Sequence, residues 1–463
     1  MTQKKAGLFS AVCMGVGTII GAGIFGALPA AVGLVGMGIF WAFAIATIST
    51  IIRSLPGLAP GCAIPSPAGY YMHLSRLLNP YVGFLDFILI IMEIFIITLL
   101  ATVFGQYFAA LVPVDQTVAA AGILVFFGIT ACFGFSIGSK VQTVMTVTLV
   151  GAILIFVGAG AINLNPELIS FKEVVLPSSF NIVTMGAAVG LLTGCLQGGV
   201  CIMQFADAYK NPRKVIMQSF LLATVAAMVI YMLMSFAVVG TTSLAEISTL
   251  DSLIPVASRL LSPALLTVFI VGGALLGSST SINGVLMSSV YRLNTIGKDK
   301  VMPDFVTREN RFGAQPVAIW LVIAAALFIV IFKLPIGVLL SVSSVITTVV
   351  TLLELLPVLV LKKRYPYCYK NAAVKFPEPA LWTMIIIAFG LGLWQVYSMI
   401  TTTMGIVWIA TAITVVVCYG YFLLRKVYLK KKGVDLIALM RIPYPEWEEN
   451  EKRFAEEEKA KKS

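Results

Sequence analysis

Three ionisable side chains stand well inside apolar runs of this chain: Arg53, Glu93 and Glu354. A charge at the centre of a membrane-spanning helix costs about 2.5–3.5 kcal/mol or more to insert, so each of the three marks recognition, proton movement or a bond to another helix. Glu93 can pair with a positive group on a bound solute, carry a proton, or stay protonated against a neighbouring helix. Arg53, just ahead of Leu55 and Pro56, either snorkels to the nearer face or pairs with Glu93 or Glu354. A pair with Glu93 would withdraw that carboxylate from any cationic solute. Glu354 lies about two helical turns ahead of Lys362, and a salt bridge at the inner face is its expected role.

The backbone supplies a second chemistry. Residues 15–29 read GVGTIIGAGIFGALP, with five glycines in twelve positions, although each glycine in a helix interior costs about 1 kcal/mol relative to alanine. Unwinding at Gly21, Ala22 and Gly23 would aim free N–H groups and the positive end of the following half-helix at one spot, a receptor for an anion such as a carboxylate. The other reading is close packing of small residues between helices. A second cluster, Gly190, Gly194, Gly198 and Gly199 around Cys195 and Gln197, lies in the sixth apolar run. Interrupted helices at corresponding places in two halves point to an inverted-repeat transporter with its site at the repeat interface. A third polar concentration is Ser278, Ser279, Thr280, Ser281 and Asn283; within a bundle most such groups bond carbonyls or neighbouring helices.

The elements that must hold these groups follow from composition. Apolar residues make up 59% of the chain and charged ones 11%, with a mean hydropathy of +0.97, which excludes an ordinary soluble domain and predicts an all-α polytopic membrane protein. Apolar runs near the ~20-residue membrane span fall at 8–32, 36–58, 82–111, 118–137, 141–163, 181–205, 214–240, 264–291, 316–333, 335–361, 380–399 and 403–425, twelve transmembrane helices in all. With both termini inside, only Lys172, Arg259 and Lys333 of the 32 Lys and Arg residues fall outside, as retention of positive charge in the cytoplasm requires. The net charge of +11 therefore reflects topology and anionic lipid, not nucleic acid. Seven scattered cysteines show no metal spacing, and the single His73 falls in an inner loop; no metal, cofactor or histidine triad is expected. Residues 65–74, PSPAGYYMHL, read as an interfacial connector with Tyr70 and Tyr71 at headgroup level. The outer loop 241–263 reads as a short amphipathic helix over the outer vestibule. The charged end from Lys430 onward reads as a solvated helix or a disordered tail.

Taken in order, several of these segments resemble the amino acid–polyamine–organocation (APC) transporter superfamily, whose members adopt the LeuT-type fold. IIGAGIFGALP is similar to that family's opening Gly-small-Gly-hydrophobic-Phe motif, and PSPAGYYMHL to its Pro-x-x-Gly-Gly-x-Tyr loop. FADAYKNPRKVI resembles its Ala-Glu-Glu-x-Lys-Asn-Pro-Arg segment, and SVYRLNTIGKDKVMPDFVTREN its loop after helix eight. The resemblance spans residues 8 to about 425. It implies a five-plus-five inverted repeat over 8–361, with helices 1 and 6 broken. A cytoplasmic N-terminus of residues 1–7, peripheral helices eleven and twelve over 362–429 and a cytoplasmic tail over 430–463 complete the expected organisation.

The same resemblance implies that a substrate carboxylate meets the N–H groups of Ala22, Gly23 and Ile24. Its amino group would meet carbonyls at Ile19, Ile20 and Cys195 to Gly198. Glu93 matches a pocket-lining position of basic-amino-acid exchangers, and Asp207 belongs to an inner gate network. This chain departs from the family in having Gly199 where many members carry an aromatic gate, so the pocket is wider or gated from elsewhere. It has Leu149 or Thr148 in place of a lysine in helix five, and Ala59 in place of an acid in helix two. A sodium site between the first and eighth helices would use Ser278 or Ser281.

These readings converge on a secondary active transporter of amino acids working by alternating access, as an exchanger or a proton- or sodium-coupled symporter. Side-chain selection is assigned to Glu93, Thr98, Gln197, Gly199 and Val285, with a lean toward a cationic or amine-bearing substrate. Arg53, Asp207 and Glu354 are the gating or coupling candidates. A polyamine or amine transporter, or a membrane sensor that binds without translocating, is the alternative. An enzyme is excluded by the lack of any hydrolytic constellation or metal spacing in the spans.

Overall fold

The computed structural model describes residues 5–177, 180–250, 252–334, 336–402 and 405–462. Among them the protein is helical and has no strand, only a bridge between Ala6 and Tyr209. In chain order the principal helices are α1 (Leu8–Ile19), α2 (Ala22–Val35), α3 (Ile39–Ala63), α4 (Leu85–Ala109), α5 (Gln116–Ala131), α6 (Phe135–Ile162) and α7 (Ile182–Leu196). There follow α8 (Pro212–Val239), α9 (Leu276–Lys298), α10 (Pro316–Ile331), α11 (Ile336–Leu353), α12 (Pro357–Arg364), α13 (Glu378–Thr402), α14 (Gly405–Lys431) and α15 (Pro445–Lys462). Eight helical stretches among the described residues are long and apolar enough to cross a membrane. Large apolar side chains such as Val144, Ile162, Phe328, Ile331 and Val416 are exposed on the outside of the bundle, a surface suited to lipid rather than water.

The first apolar run is broken where its glycines cluster. Ile20 leaves helical geometry (φ −80°, ψ 66°), Gly21 is extended (φ −100°, ψ −159°), and a new helix starts at Ala22. The unwound point is thus Ile20–Gly21, slightly earlier than the glycine spacing predicts. The sixth run does not unwind. At Gln197 it tightens from α7 into a 3₁₀ helix, Gln197–Ala208, which kinks at Phe205 (φ −104°, ψ 27°). So long a 3₁₀ stretch is unusual and marks a hinge or a strained sequence. Around these two places α1 packs on α6, α8, α9 and the 3₁₀ segment, while α4 packs on α5, α9 and α11.

Two expectations about the periphery are corrected. The connector 65–74 is not interfacial: Tyr70 and Tyr71 are buried, and the Tyr71 hydroxyl donates to Asp299 (2.5 Å), which also holds Arg76 in a bidentate pair (2.6 and 2.7 Å). Nor is the charged tail merely solvated. α15 lays Trp447 (1% exposed) and Phe454 (8%) against the body, Glu451 accepts from the backbone N–H groups of Tyr367 and Cys368, and Lys370 pairs with Glu458. Trp447 stacks on His73, whose Nε2 meets the Ile64 carbonyl at 3.3 Å. Burial depresses the His73 pKa from 6.5 to about 4. The outer loop carries two short helices, Leu244–Ile247 and Ile254–Leu260, as the amphipathic pattern predicts.

Candidate functional site

The break in the first helix leaves α2 with first-turn N–H groups that have no intrahelical acceptor, at Ala22, Gly23 and Ile24. Two close approaches explain why glycine stands beside it. A Cβ on Gly21 would overlap the Ser281 side chain of α9, and one on Gly198 would sit 2.5 Å from the Thr18 carbonyl oxygen. The 3₁₀ segment therefore lies directly against the broken backbone. The freed carbonyls are partly engaged: Ile19 accepts from the Tyr231 hydroxyl (2.6 Å), Gly17 from Thr280 (2.8 Å) and Ser281 (3.1 Å), and Thr18 from Ser281 (3.1 Å). A carbonyl oxygen has two lone pairs, and Ile19 uses its second for the Gly21 N–H (2.9 Å).

Beside this junction is a cavity of about 130 Å3. Its wall includes Thr18, Ile19 and Gly21 from the break, and Cys195 and Gly198 from the α7 junction. Glu93 comes from α4, Ser281, Val285 and Arg292 from α9, and Glu354 from just past α11. Of the residues singled out in the sequence, the structure thus brings together Ile19, Gly21, Glu93, Cys195, Gly198, Val285, Ser281 and Glu354. Ile20 and Ile24 are fully buried beside it without lining it, and Thr98 turns its hydroxyl back to the Ile94 carbonyl. Gly199 faces Ile19, Phe220 and Thr224 rather than the cavity, so it does not widen the pocket. The side chains of Ala22, Gly23 and Gln197 lie outside the described residues.

The electrostatics centre on a residue the sequence reading passed over. Arg292, on the last turns of α9, is 1% exposed and forms ion pairs with Asp86 (3.1 Å) and Glu93. Ser289 also donates to Glu93 (2.5 Å). Glu93 is therefore spoken for by an arginine, but not by Arg53. Arg53 donates instead to Gln395 of α13 (2.6 Å) and to the Thr348 carbonyl (3.3 Å). Glu354 makes no salt bridge with Lys362, whose partner is Glu378 at 3.9 Å. It is 5% exposed on the cavity wall, and no ion pair to it is found among the described residues. Asp207 accepts from the Tyr291 hydroxyl, not from a basic loop residue. Ser281, Val285, Ser288, Ser289 and Arg292 recur at helical spacing, the signal that carried the polar face of α9 past the end of its apolar run.

The residues at the expected cation position are tied into hydrogen bonds. The Ser278 hydroxyl bonds the Ala274 carbonyl (2.9 Å) and Ser281 donates to the break. The crevice between α1, α6 and α9 is filled by neutral donors. Gln142 donates to the Thr280 carbonyl (3.1 Å) and accepts from Asn283 (3.0 Å), while Thr146 donates to the Cys13 carbonyl (3.0 Å).

An all-helical bundle of membrane-length apolar helices, with a cavity at a helix break in its interior, is the architecture of a polytopic membrane protein. The family model described as amino acid permease matches residues 7–424, and the chain belongs to that family; its task is amino acid transport. It is similar to the inner membrane transport protein YbaT of Escherichia coli, at 24% identity over 70% of this chain and 77% of the relative. It is also similar to the serine/threonine exchanger SteT of Bacillus subtilis, at 26% identity over 54% and 57%. The third relative is the chloroplastic cationic amino acid transporter 9 of Arabidopsis thaliana, at 23% identity over 66% and 57%.

Proposed function

We propose that the protein carries its amino acid by alternating access, with the substrate seated between the Ile20–Gly21 break and the α7 junction. The observation that carries this reading is the cavity at that break, walled by both interrupted segments. The first-turn N–H groups of Ala22, Gly23 and Ile24 receive the carboxylate. The carbonyls of Cys195 and Gly198, on the cavity wall, receive the ammonium. A wall largely of backbone recognises what all amino acids share and leaves selection to Glu93, Val285 and the groups beside them.

The packing supports a five-plus-five repeat, since α1 lies on α8 as α7 lies on α3 and α1 lies on α6 as α7 lies on α11; the bias of Lys and Arg to one side supports twelve spans with both termini in the cytoplasm. Because Arg292 neutralises Glu93, the carboxylate available to a second positive charge is Glu354. The polar interior holds Asp86, Glu93 and Glu354 against Arg53 and Arg292, one acid in excess. That surplus favours a cationic or amine-bearing substrate, or a coupled proton, at Glu354.

The test is uptake of labelled amino acids and amines into proteoliposomes, with and without unlabelled substrate inside, under sodium and under proton gradients. Accelerated uptake against internal substrate identifies an exchanger; uptake that follows an imposed gradient identifies a symporter. Binding without flux under every condition would overturn the transport cycle and leave a sensor.

A further inference from the structure

On the face where the two chain ends meet, a groove of about 420 Å3 is built from four separate stretches of chain. The N-terminal segment gives Lys5, the start of α8 gives Lys210, Asn211 and Arg213, and the tail gives Arg453. The stretches are tied together by backbone: Ala6 donates to the Ala208 carbonyl (2.9 Å) and Lys210 to the Ala6 carbonyl (3.0 Å). Four cations thus face Asp207 and Glu446, and Asp207 is already bonded to Tyr291. Among the described residues no ion pair engages Lys5, Lys210 or Arg213. Arg213 instead lies over the Phe454 ring, 4.5 Å from its centroid. α8 is 28 residues long and begins without a side-chain cap; Pro212 has no N–H and Lys214 and Val215 donate to the Asn211 carbonyl, so the helix start offers the groove the Arg213 N–H and the positive end of its dipole. One further donor is on offer: Ser66, 1% exposed, lines the groove, and its hydroxyl has no hydrogen-bond partner.

We propose that this groove is a binding site for a phosphate group, held by Lys5, Lys210, Arg213 and Arg453, by the α8 N-terminus and by the Ser66 hydroxyl. Guanidinium and ammonium donors around an uncapped helix start are the arrangement that phosphate oxygens satisfy. The lysines and arginines flanking the ends of apolar helices lie where anionic lipid headgroups sit, so a phospholipid and a free phosphate present the same chemistry. A bound phosphate would join both chain ends to the segment that leads out of the 3₁₀ helix. Nothing in this inference depends on which amino acid the protein carries.

The test uses the purified full-length protein in neutral detergent and reads its melting temperature. One arm titrates inorganic phosphate against chloride at constant ionic strength. The other adds phosphatidylglycerol or phosphatidylcholine to the micelles. A saturable rise in at least one arm is expected, and the apparent affinity falls about fivefold for each cation removed, the equivalent of ~1 kcal/mol per charge. Lys210→Gln and Arg213→Gln should each show this. Ser66→Ala should weaken the response without altering net charge, and Lys431→Gln, on α14, should leave it intact. A response to phosphatidylglycerol alone identifies a lipid headgroup, whereas a response to inorganic phosphate as well identifies a general phosphate site. No saturable shift in either arm, or a shift equal in Lys210→Gln, Arg213→Gln and Ser66→Ala, overturns the proposal.

Discussion

Replacing Arg292 by Gln should damage the protein more than replacing either of the acids it holds. In the native structure the guanidinium lies between Asp86, which is fully buried, and Glu93, one pair at 3.1 Å and the other closer. Those two acids are seven residues apart on α4, on one helical face, and Glu354 adds a third negative charge to the same interior. Removing one partner of a buried ion pair costs about 3–5 kcal/mol, because the charge left behind has neither water nor counter-ion. With an unfolding entropy of ~2.1 cal/mol/K per residue, a chain of this length has about 1 kcal/mol/K in total, so the melting temperature in detergent should fall by roughly 3–5 °C. Glu93→Gln should cost less: Arg292 keeps Asp86, and Ser289 keeps an oxygen to donate to. The double variant Arg292→Gln/Glu93→Gln should melt above Arg292→Gln alone, since it strands one acid instead of two; couplings of this kind run to about 0.5–3 kcal/mol. The reference is Arg441→Gln, an exposed position. Equal melting of Arg292→Gln and Arg441→Gln, or strict additivity in the double variant, would refute the assignment of Arg292 as the counter-ion of both acids.

Gly21→Ala should abolish transport, because its Cβ would overlap the Ser281 side chain; Ser281→Gly in the same chain should restore part of the flux, and no restoration would place the defect elsewhere. Glu354→Gln should remove any dependence of uptake on a proton gradient, or uptake of cationic substrates, while neutral amino acids still bind; unchanged selectivity and coupling in proteoliposomes would take Glu354 out of the mechanism. The tail contact should be pH-dependent. His73 has a folded pKa of about 4 against an ordinary 6.5, so the unfolded chain binds the proton first, and the stability the neutral ring contributes is complete above pH 6.5 and lost as pH falls toward 4. That interval corresponds to about 3 kcal/mol, and His73→Gln should flatten the melting profile across it; a profile unchanged by the substitution would mean that another group titrates there.

What the sequence disclosed depended on how local the determining physics was. The first break was readable because so dense a run of glycine is costly in an unbroken helix, and the close approach of Ser281 to Gly21 is the reason alanine would not serve. The second cluster of glycines brings Gly194 and Gly198 to the cavity wall, yet its backbone tightens into a 3₁₀ helix instead of unwinding, with Gly198 in close contact with Thr18. Glu354 was assigned to Lys362 by counting turns along one helix. The helix is interrupted between Leu353 and Pro357, so the two side chains do not share a face. Asp86 and Arg292 were missed because each sits where an apolar run meets polar sequence, and there a charge is ordinarily explained by topology. Only the continuation of α9 to Lys298 carries the guanidinium back toward α4. The tail shows the same limit from the other side: charged residues dominate α15, but Trp447 and Phe454 decide where it lies, and burying two aromatic side chains outweighs a long solvated face. The consequence for function is specific. The carboxylate most conspicuous in the sequence, Glu93, holds Arg292, and in the proposed function a second positive charge on the substrate falls to Glu354, the acid that the helix interruption leaves at the cavity wall.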